Sequence, residues 1–358
     1  MLKYIILVGA LSIICRETNG QLQWANIFGT NGKNVTINIP TVLPARPFNP
    51  THICELLKLS MQGIGRDSET ILKILATHPY SQRYEIAATY KTLYNQDLVQ
   101  KLFTEFDGNI LDVIQYLFWP AEKMYAKEFR DAVQGLGTDE RSLIELTASL
   151  DGQMLRRVSS AYQQMYEKTL EKDIKGDTSG FFRDLLLELI KGREPDNSPN
   201  SVALPSYTVD TLNRLGSGQW SNNKDTIRDI FCKKSFSELA EIFAEYEHRN
   251  GHKIEVDIEN EFSSDVKKTL LAIAKCARNR PLFLAEQLNK SMSNFGINHN
   301  VLHRIIVGRS EIDLGNIKEE FAKINNVGIN VWLKSAIEGN YWSLIVQLAG
   351  YAPEYFKD

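Results

Sequence analysis

Four stretches of this chain carry the same three landmarks, in the same order and at the same spacing. The first landmark is a short loop: Met61-Gln-Gly-Ile-Gly65, Val133-Gln-Gly-Leu-Gly137, Ser217-Gly-Gln-Trp-Ser221 and Met292-Ser-Asn-Phe-Gly296. Twenty-one residues past the loops stand Ile86, Val158, Ile242 and Ile317, each followed four residues on by Tyr90, Tyr162, Tyr246 or Phe321. Forty residues past the loops stand Glu105, Asp177, Glu261 and Ala336. All three landmarks recur at offsets of 72, 84 and 75 residues. A period in this range means an array of similar supersecondary units, each burying its apolar face against its neighbours.

Within the repeats the apolar pattern is helical. Gln82 to Tyr94 places Ile86, Tyr90 and Tyr94 four residues apart on one face, and Phe181 to Ile190 is apolar around most of its circumference. From residue 51 onward no run alternates as a strand would. The expected fold is therefore all-α, with about five short helices per repeat, given usual helix lengths and short connections. The expected units are 51–120, 121–191, 207–278 and 279–350, with a Pro- and Asn-rich linker at 192–206 where the interval lengthens.

The first fifty residues differ. Lys3 precedes an apolar run from Tyr4 to Cys15 and then a polar stretch ending in Thr18-Asn-Gly20, the pattern of a secretory signal peptide cleaved after Gly20. Twelve apolar residues are too few to cross about 30 Å of hydrocarbon as a helix. Residues 21–50, rich in Asn, Gly, Thr and Pro, read as an irregular tail. Secretion is thus expected, with Asn34-Val-Thr36 the better of two glycan acceptor sites. The remaining cysteines, Cys54, Cys232 and Cys276, are too few for a disulfide framework and read as buried thiols. With 41 basic and 44 acidic residues, no global field calls for nucleic acid as a partner. No nucleophile elbow or phosphate loop is present. The pairs His248/His252 and His299/His303 lack the glutamate of a zinc-protease helix, so no catalytic residue is assigned.

A Gly-x-Gly turn between helices aims several backbone carbonyls one way, because Gly permits positive φ. Carbonyls are good calcium ligands that bring no net charge, and calcium takes six to eight oxygens, usually with a carboxylate among them. Three acids at one offset from four loops supply it. Ile64, Leu136, Trp220 and Phe295 share one position in their loops, so they read as apolar tips that enter a lipid interface beside the ions.

On these residues the chain from about 51 to 350 resembles an annexin. The closest matches are Val133-Gln-Gly-Leu-Gly-Thr-Asp-Glu140 with Gly176-Asp-Thr-Ser-Gly180, and Gly308-Arg-Ser-Glu-Ile-Asp-Leu314. The resemblance implies a curved all-helical disc whose convex-face loops bind acidic phospholipid membranes when Ca²⁺ is present. It implies calcium sites from Met61, Gly63 and Gly65 with Glu105, and from Val133, Gly135 and Gly137 with Asp177. A weaker third site would use Gly216, Gln219, Ser221 and Glu261, with Ser221 straining a turn that wants Gly. The fourth has Ala336 for the acid and should be silent, Glu338 pointing elsewhere. Arg66 departs from the Thr of the family pattern. Tyr125 and Leu150 stand where the family carries a charged pair along a central ion path, which argues against channel activity. The rival reading is a secreted effector that acts on a partner protein of another cell, with membrane binding secondary.

Overall fold

The computed structural model describes residues 2–8, 11–18, 21–27, 37–62, 66–135, 137–195, 205–216, 218–293 and 296–352, with backbone alone before residue 37. It divides into two units, residues 1–39 and 40–358. Of the expected irregular tail 21–50, residues 37–49 are irregular, while 21–27 form a strand. Strands β1 (Leu2–Val8), β2 (Leu11–Thr18) and β3 (Gln21–Ile27) form an antiparallel sheet in the order β1-β2-β3, with Ile5 opposite Ile14 and Ile14 opposite Ala25. Runs rich in Ile, Leu and Val suit a pleated surface. Asn34 lies outside the described residues.

The second unit is helical. Repeat one holds α1 (Pro50–Ser60), α2 (Ser68–Thr77), α3 (Tyr80–Tyr94), α4 (Leu98–Glu105) and α5 (Ile110–Phe118). Repeat two holds α6 (Ala121–Val133), α7 (Glu140–Ser149), α8 (Gly152–Tyr166), α9 (Leu170–Asp177) and α10 (Gly180–Ile190). Repeat three runs through α11 (Pro205–Leu215), α12 (Lys224–Lys233), α13 (Phe236–Asn250) and α14 (Ile254–Glu261) into α15 (Ser264–Lys290). That last element serves two repeats. It breaks at Asn279 (φ −160°, ψ 89°) just before Arg280-Pro281, so its second half opens repeat four. α16 (His299–Arg309), α17 (Leu314–Asn325), α18 (Ile329–Lys334) and α19 (Gly339–Leu348) complete the array. Among the described residues no helix is long and apolar enough to cross a membrane.

The repeat is written into the helix ends. The third helix of each unit stops at a left-handed residue, Asn95, Glu167, Gly251 and Asn326, with φ of 51°, 55°, 71° and 56°. These four positions keep the sequence offsets, so the turn is fixed by geometry and not by residue type. The landmark apolar residues are all in the core: Ile86, Val158, Ile242, Ile317, Tyr90, Tyr162, Tyr246 and Phe321 are buried. The three thiols expected to be buried are buried, and burial pushes Cys54 up to about 11 and Cys232 and Cys276 up to about 12.

Ion pairs tie distant repeats together. Arg304 of α16 holds both Glu145 oxygens at 3.0 and 3.1 Å and Glu128 at 2.7 Å, while the Tyr116 hydroxyl donates to Glu128 at 2.7 Å. Arg83 of α3 reaches Glu311 at 2.7 Å. A buried cluster of this kind matters chiefly because removing one partner strands a charge. Tyr125 and Leu150 are both buried, and the Tyr125 hydroxyl donates to the Gly308 carbonyl at 3.3 Å.

Candidate functional site: four inter-helix loops

The loop between the first two helices of each repeat is the element that differs most among the four. In three repeats a main-chain bond closes it. The N–H of the residue capping the second helix donates to the carbonyl seven residues before it: Asp67 to Ser60 at 2.9 Å, Asp139 to Ala132 at 2.9 Å and Asn298 to Ser291 at 2.8 Å. The same three side chains accept from the second helix, at the N–H groups of Thr70, Ser142 and Val301. Each loop is thus pinned at both ends before any ligand arrives.

The second loop is the most complete. Gly135 and Gly137 have φ of 122° and 91°, and a Cβ added at either would meet nothing within 4 Å. Glycine is required there by backbone conformation, not by crowding. The Thr138 hydroxyl donates to the Asp177 carbonyl at 3.0 Å, which fastens the loop to the end of α9. That bond brings together the two landmarks that the sequence separates by forty residues. Asp177 is exposed, and its carboxylate has no partner among the described residues. Val133, by contrast, is buried at the end of α6, so only its carbonyl is available to the loop. The side chain of Leu136 lies outside the described residues.

In the first repeat Gly63, Ile64 and Gly65 lie outside the described residues, and Met61 caps α1, its N–H donating to the Leu57 carbonyl at 3.1 Å. Arg66 does not make the Thr138-type bond; its Nε donates to the Ser68 hydroxyl at 3.1 Å. The guanidinium also sits 5.0 Å from the Phe106 ring, over the residue that follows Glu105. Glu105 is not free: Lys101, one helical turn earlier, holds it at 2.6 Å.

The third loop overturns two expectations. Trp220 is 2% exposed and packs edge-on against Tyr246 with ring centres 6.1 Å apart, so it is not an exposed apolar tip. Ser221 does not strain the turn either. It lies in a 3-10 turn, Trp220–Asn222, and is not among the described residues with positive φ. The positive φ values fall instead on Gly216 and Gly218, 79° and 81°. The closing bond of the other loops is absent here, and the Asn223 N–H donates to Trp220. Glu261 turns onto main-chain amides, accepting from Gly218 and, at 3.2 Å, from Trp220, while the Gln219 carbonyl already accepts from the Asn223 side chain at 2.8 Å. The carboxylate and one carbonyl of the expected weak site are therefore satisfied internally.

The fourth loop closes as a small hairpin, with β4 (Met292–Ser293) paired to β5 (Gly296–Ile297), a strand the helical reading did not anticipate. Phe295 lies outside the described residues. Ala336 packs against the core, and Glu338 caps α19 with an extended φ of −140°.

No group of three or more His, Cys, Asp or Glu side chains that could hold a metal occurs among the described residues. Main-chain carbonyls and one acid are the donors these loops offer a cation, and the second loop suits that: Gly135 and Gly137 have positive φ, and the exposed Asp177 carboxylate has no partner among the described residues. The histidine pairs go elsewhere. His299 and His303 share the Tyr341 hydroxyl at 2.9 and 2.8 Å, and His252 pairs with Asp257 at 2.6 Å.

An all-helical array of four repeats, each with a loop between its first two helices and a position forty residues on for an acid, defines a class of calcium-dependent membrane-binding proteins. The comparisons agree. The annexin family model matches residues 52–117, 124–189, 211–273 and 283–348. Annexin A4 of Homo sapiens is 34% identical over 310 residues, covering 87% of this chain and 97% of that protein. Annexin A11 of Oryctolagus cuniculus is 33% identical over 313 residues, and there the chain spans only 62% of the relative. Among solved structures, annexin III superposes with a TM-score of 0.82 at 31% identity, covering 88% of this chain and 98% of that one. A calcium-bound annexin (Sm)1 gives 0.79 at 29% identity, covering 88% and 94%. The chain belongs to the annexin family. Annexins bind Ca²⁺ and associate peripherally with acidic phospholipid membranes, and they are generally not enzymes.

Proposed function

We propose that this chain docks on acidic phospholipid through its first and second loops, with the second as the leading calcium site. The observation that carries this is the exposed carboxylate of Asp177, which has no partner among the described residues and belongs to a residue whose main-chain carbonyl accepts from the Thr138 hydroxyl of the second loop at 3.0 Å. The main-chain carbonyls of Val133, Gly135 and Gly137 with Asp177 would hold the ion at loop two; those of Met61, Gly63 and Gly65 with Glu105 would hold it at loop one. A bound calcium supplies positive charge that bridges protein oxygens to lipid phosphate. The chain's own contribution is to orient the carbonyls, leave one acid uncommitted, and present Ile64 and Leu136 at the loop tips to the interface. The third loop is a poor site because Glu261 is engaged, and the fourth lacks its acid. Trp220, being buried, is not part of the membrane surface.

The test is a calcium titration of vesicle binding with wild type and Asp177→Asn, which keeps shape while removing the charge. Loss of the highest-affinity calcium step in the variant supports the reading, and an unchanged titration overturns it. We further propose that the chain is exported through residues 1–20. The support is the charged start, the twelve-residue apolar run and the polar end of that segment. Mass spectrometry of extracellular protein should then find an N-terminus at Gln21. An intact Met1 on protein confined to the cytosol would refute it.

A further inference from the structure

One position in the fourth helix of each repeat behaves differently in the first. The residues four before the distant landmark are Lys101, Asp173, Asp257 and Trp332, again at offsets of 72, 84 and 75. In repeats two and three the aspartate accepts a 2.6 Å bond from the landmark tyrosine, Tyr162 to Asp173 and Tyr246 to Asp257. Each aspartate also has a second partner, Arg130 at 2.7 Å and His252 at 2.6 Å. In repeat four both groups are apolar, Phe321 and Trp332, with ring centres 5.4 Å apart. Among the described residues no hydrogen bond or ion pair links the pairs of repeats two and three to Asp177 or Glu261.

Repeat one breaks the pattern at both ends. The Tyr90 hydroxyl is buried with no hydrogen-bond partner among the described residues, and Lys101 stands where an acceptor carboxylate stands in the next two repeats. A buried hydroxyl without a partner costs stability, so its persistence wants an explanation. Lys101 has lost its counterpart in turn and reaches one helical turn forward to Glu105, at 2.6 Å. Glu105 is only 14% exposed and Lys101 36%, so water screens this pair less than a fully exposed one. The equivalent acid in repeat two, Asp177, has no such neighbour: Lys175 is occupied with Glu171 at 2.5 Å.

We propose that Lys101 is a latch on the first calcium loop. Its ammonium occupies the Glu105 carboxylate until calcium displaces it, so loading this site is an exchange of one cation for another. The second site, whose acid is free, loads without that exchange. The released lysine stays beside the Tyr90 oxygen, which can accept one of its N–H bonds, because the repeat equivalence puts position 101 against that hydroxyl. Lys101 is a positioning residue and not a ligand. This staggers the two sites: loop two responds at lower calcium, and loop one joins only at higher calcium. The inference rests on Glu105 being the acid of site one.

The test isolates the first loop by placing every variant in full-length Asp177→Asn protein and titrating with calcium by calorimetry. Lys101→Met should tighten the remaining site by about two- to five-fold, the range expected for removing a partly exposed competing ion pair. Lys101→Arg should keep the latch and leave the affinity near that of the parent protein. The gap in affinity between the parent and its Lys101→Met variant should narrow as salt rises from low to high, since the latch is electrostatic. Glu105→Gln should abolish the site, and adding Lys101→Met to it should change nothing. An unchanged affinity in Lys101→Met, with Glu105→Gln still abolishing the site, overturns the latch alone. A site that survives Glu105→Gln overturns the assignment of Glu105 and the latch with it.

Discussion

Trp220 decides how the third loop is read, and its replacement has a calculable effect. The side chain is 2% exposed, its ring meets Tyr246 edge-on at 6.1 Å, and its main-chain N–H helps hold Glu261. Truncating a buried Trp to Ala costs about 3–5 kcal/mol through lost transfer energy plus the cavity left behind. The edge-on ring contact adds to this loss. For an array of roughly 300 residues, an unfolding entropy of about 2.1 cal/mol/K per residue converts about 4 kcal/mol into a fall of about 6 °C in Tm. Trp220→Ala should therefore lower Tm by about that much in calcium-free buffer, measured by scanning calorimetry. A protein retaining only Trp220 among its tryptophans should emit at a short wavelength, as a buried indole does. A Tm within one degree of wild type, with emission typical of water-exposed indole, would refute the inward packing and restore an exposed tip.

Other consequences follow from the same geometry. Glu338→Ala should leave calcium stoichiometry unchanged in calorimetry, because Glu338 caps α19 and the fourth loop has no acid; the loss of a strong site would contradict this. Glu261→Gln should lower thermal stability by roughly 1–2 kcal/mol without removing a strong calcium step, since that carboxylate holds two loop amides. His303 should make stability depend on pH. Burial, then the nearby charges of His299, Lys127 and Arg304, push it down to about 3 from an ordinary 6.5. The unfolded chain therefore binds the proton first, and this contribution to stability is full above about pH 6.5 and is lost as pH falls below it. At pH 5 the loss is about 2 kcal/mol, from roughly 1.4 kcal/mol per pH unit. His303→Gln should flatten the pH 5 to 7 slope of Tm relative to wild type, and equal slopes would contradict the argument.

The repeat, the helical class and the core landmarks were legible because they depend on periodicity, which burial enforces at every turn. What sequence could not reveal were the choices made by side chains with two possible partners. Glu261 has the right offset for a calcium acid, yet it turns to main-chain amides, because the third loop lacks the closing bond made by Asp67, Asp139 and Asn298. Glu105 also has the right offset, yet it pairs with a lysine whose own counterpart is missing. Trp220 shares its sequence position with Ile64 and Leu136, yet it lies buried in a 3-10 turn that the sequence pattern did not announce. The Lys101 exception was readable in principle, since it stands out once the fourth helices are aligned by their offsets.

The central claim is that loop two, with its uncommitted Asp177, leads calcium-dependent docking. Cosedimentation with phosphatidylserine vesicles across a calcium series tests it most directly, comparing wild type with Asp177→Asn and Glu105→Gln. No sedimentation is predicted without calcium. Asp177→Asn is predicted to move the half-binding calcium concentration upward by more than Glu105→Gln does. Sedimentation that is independent of calcium, or a larger shift for Glu105→Gln, would contradict the claim.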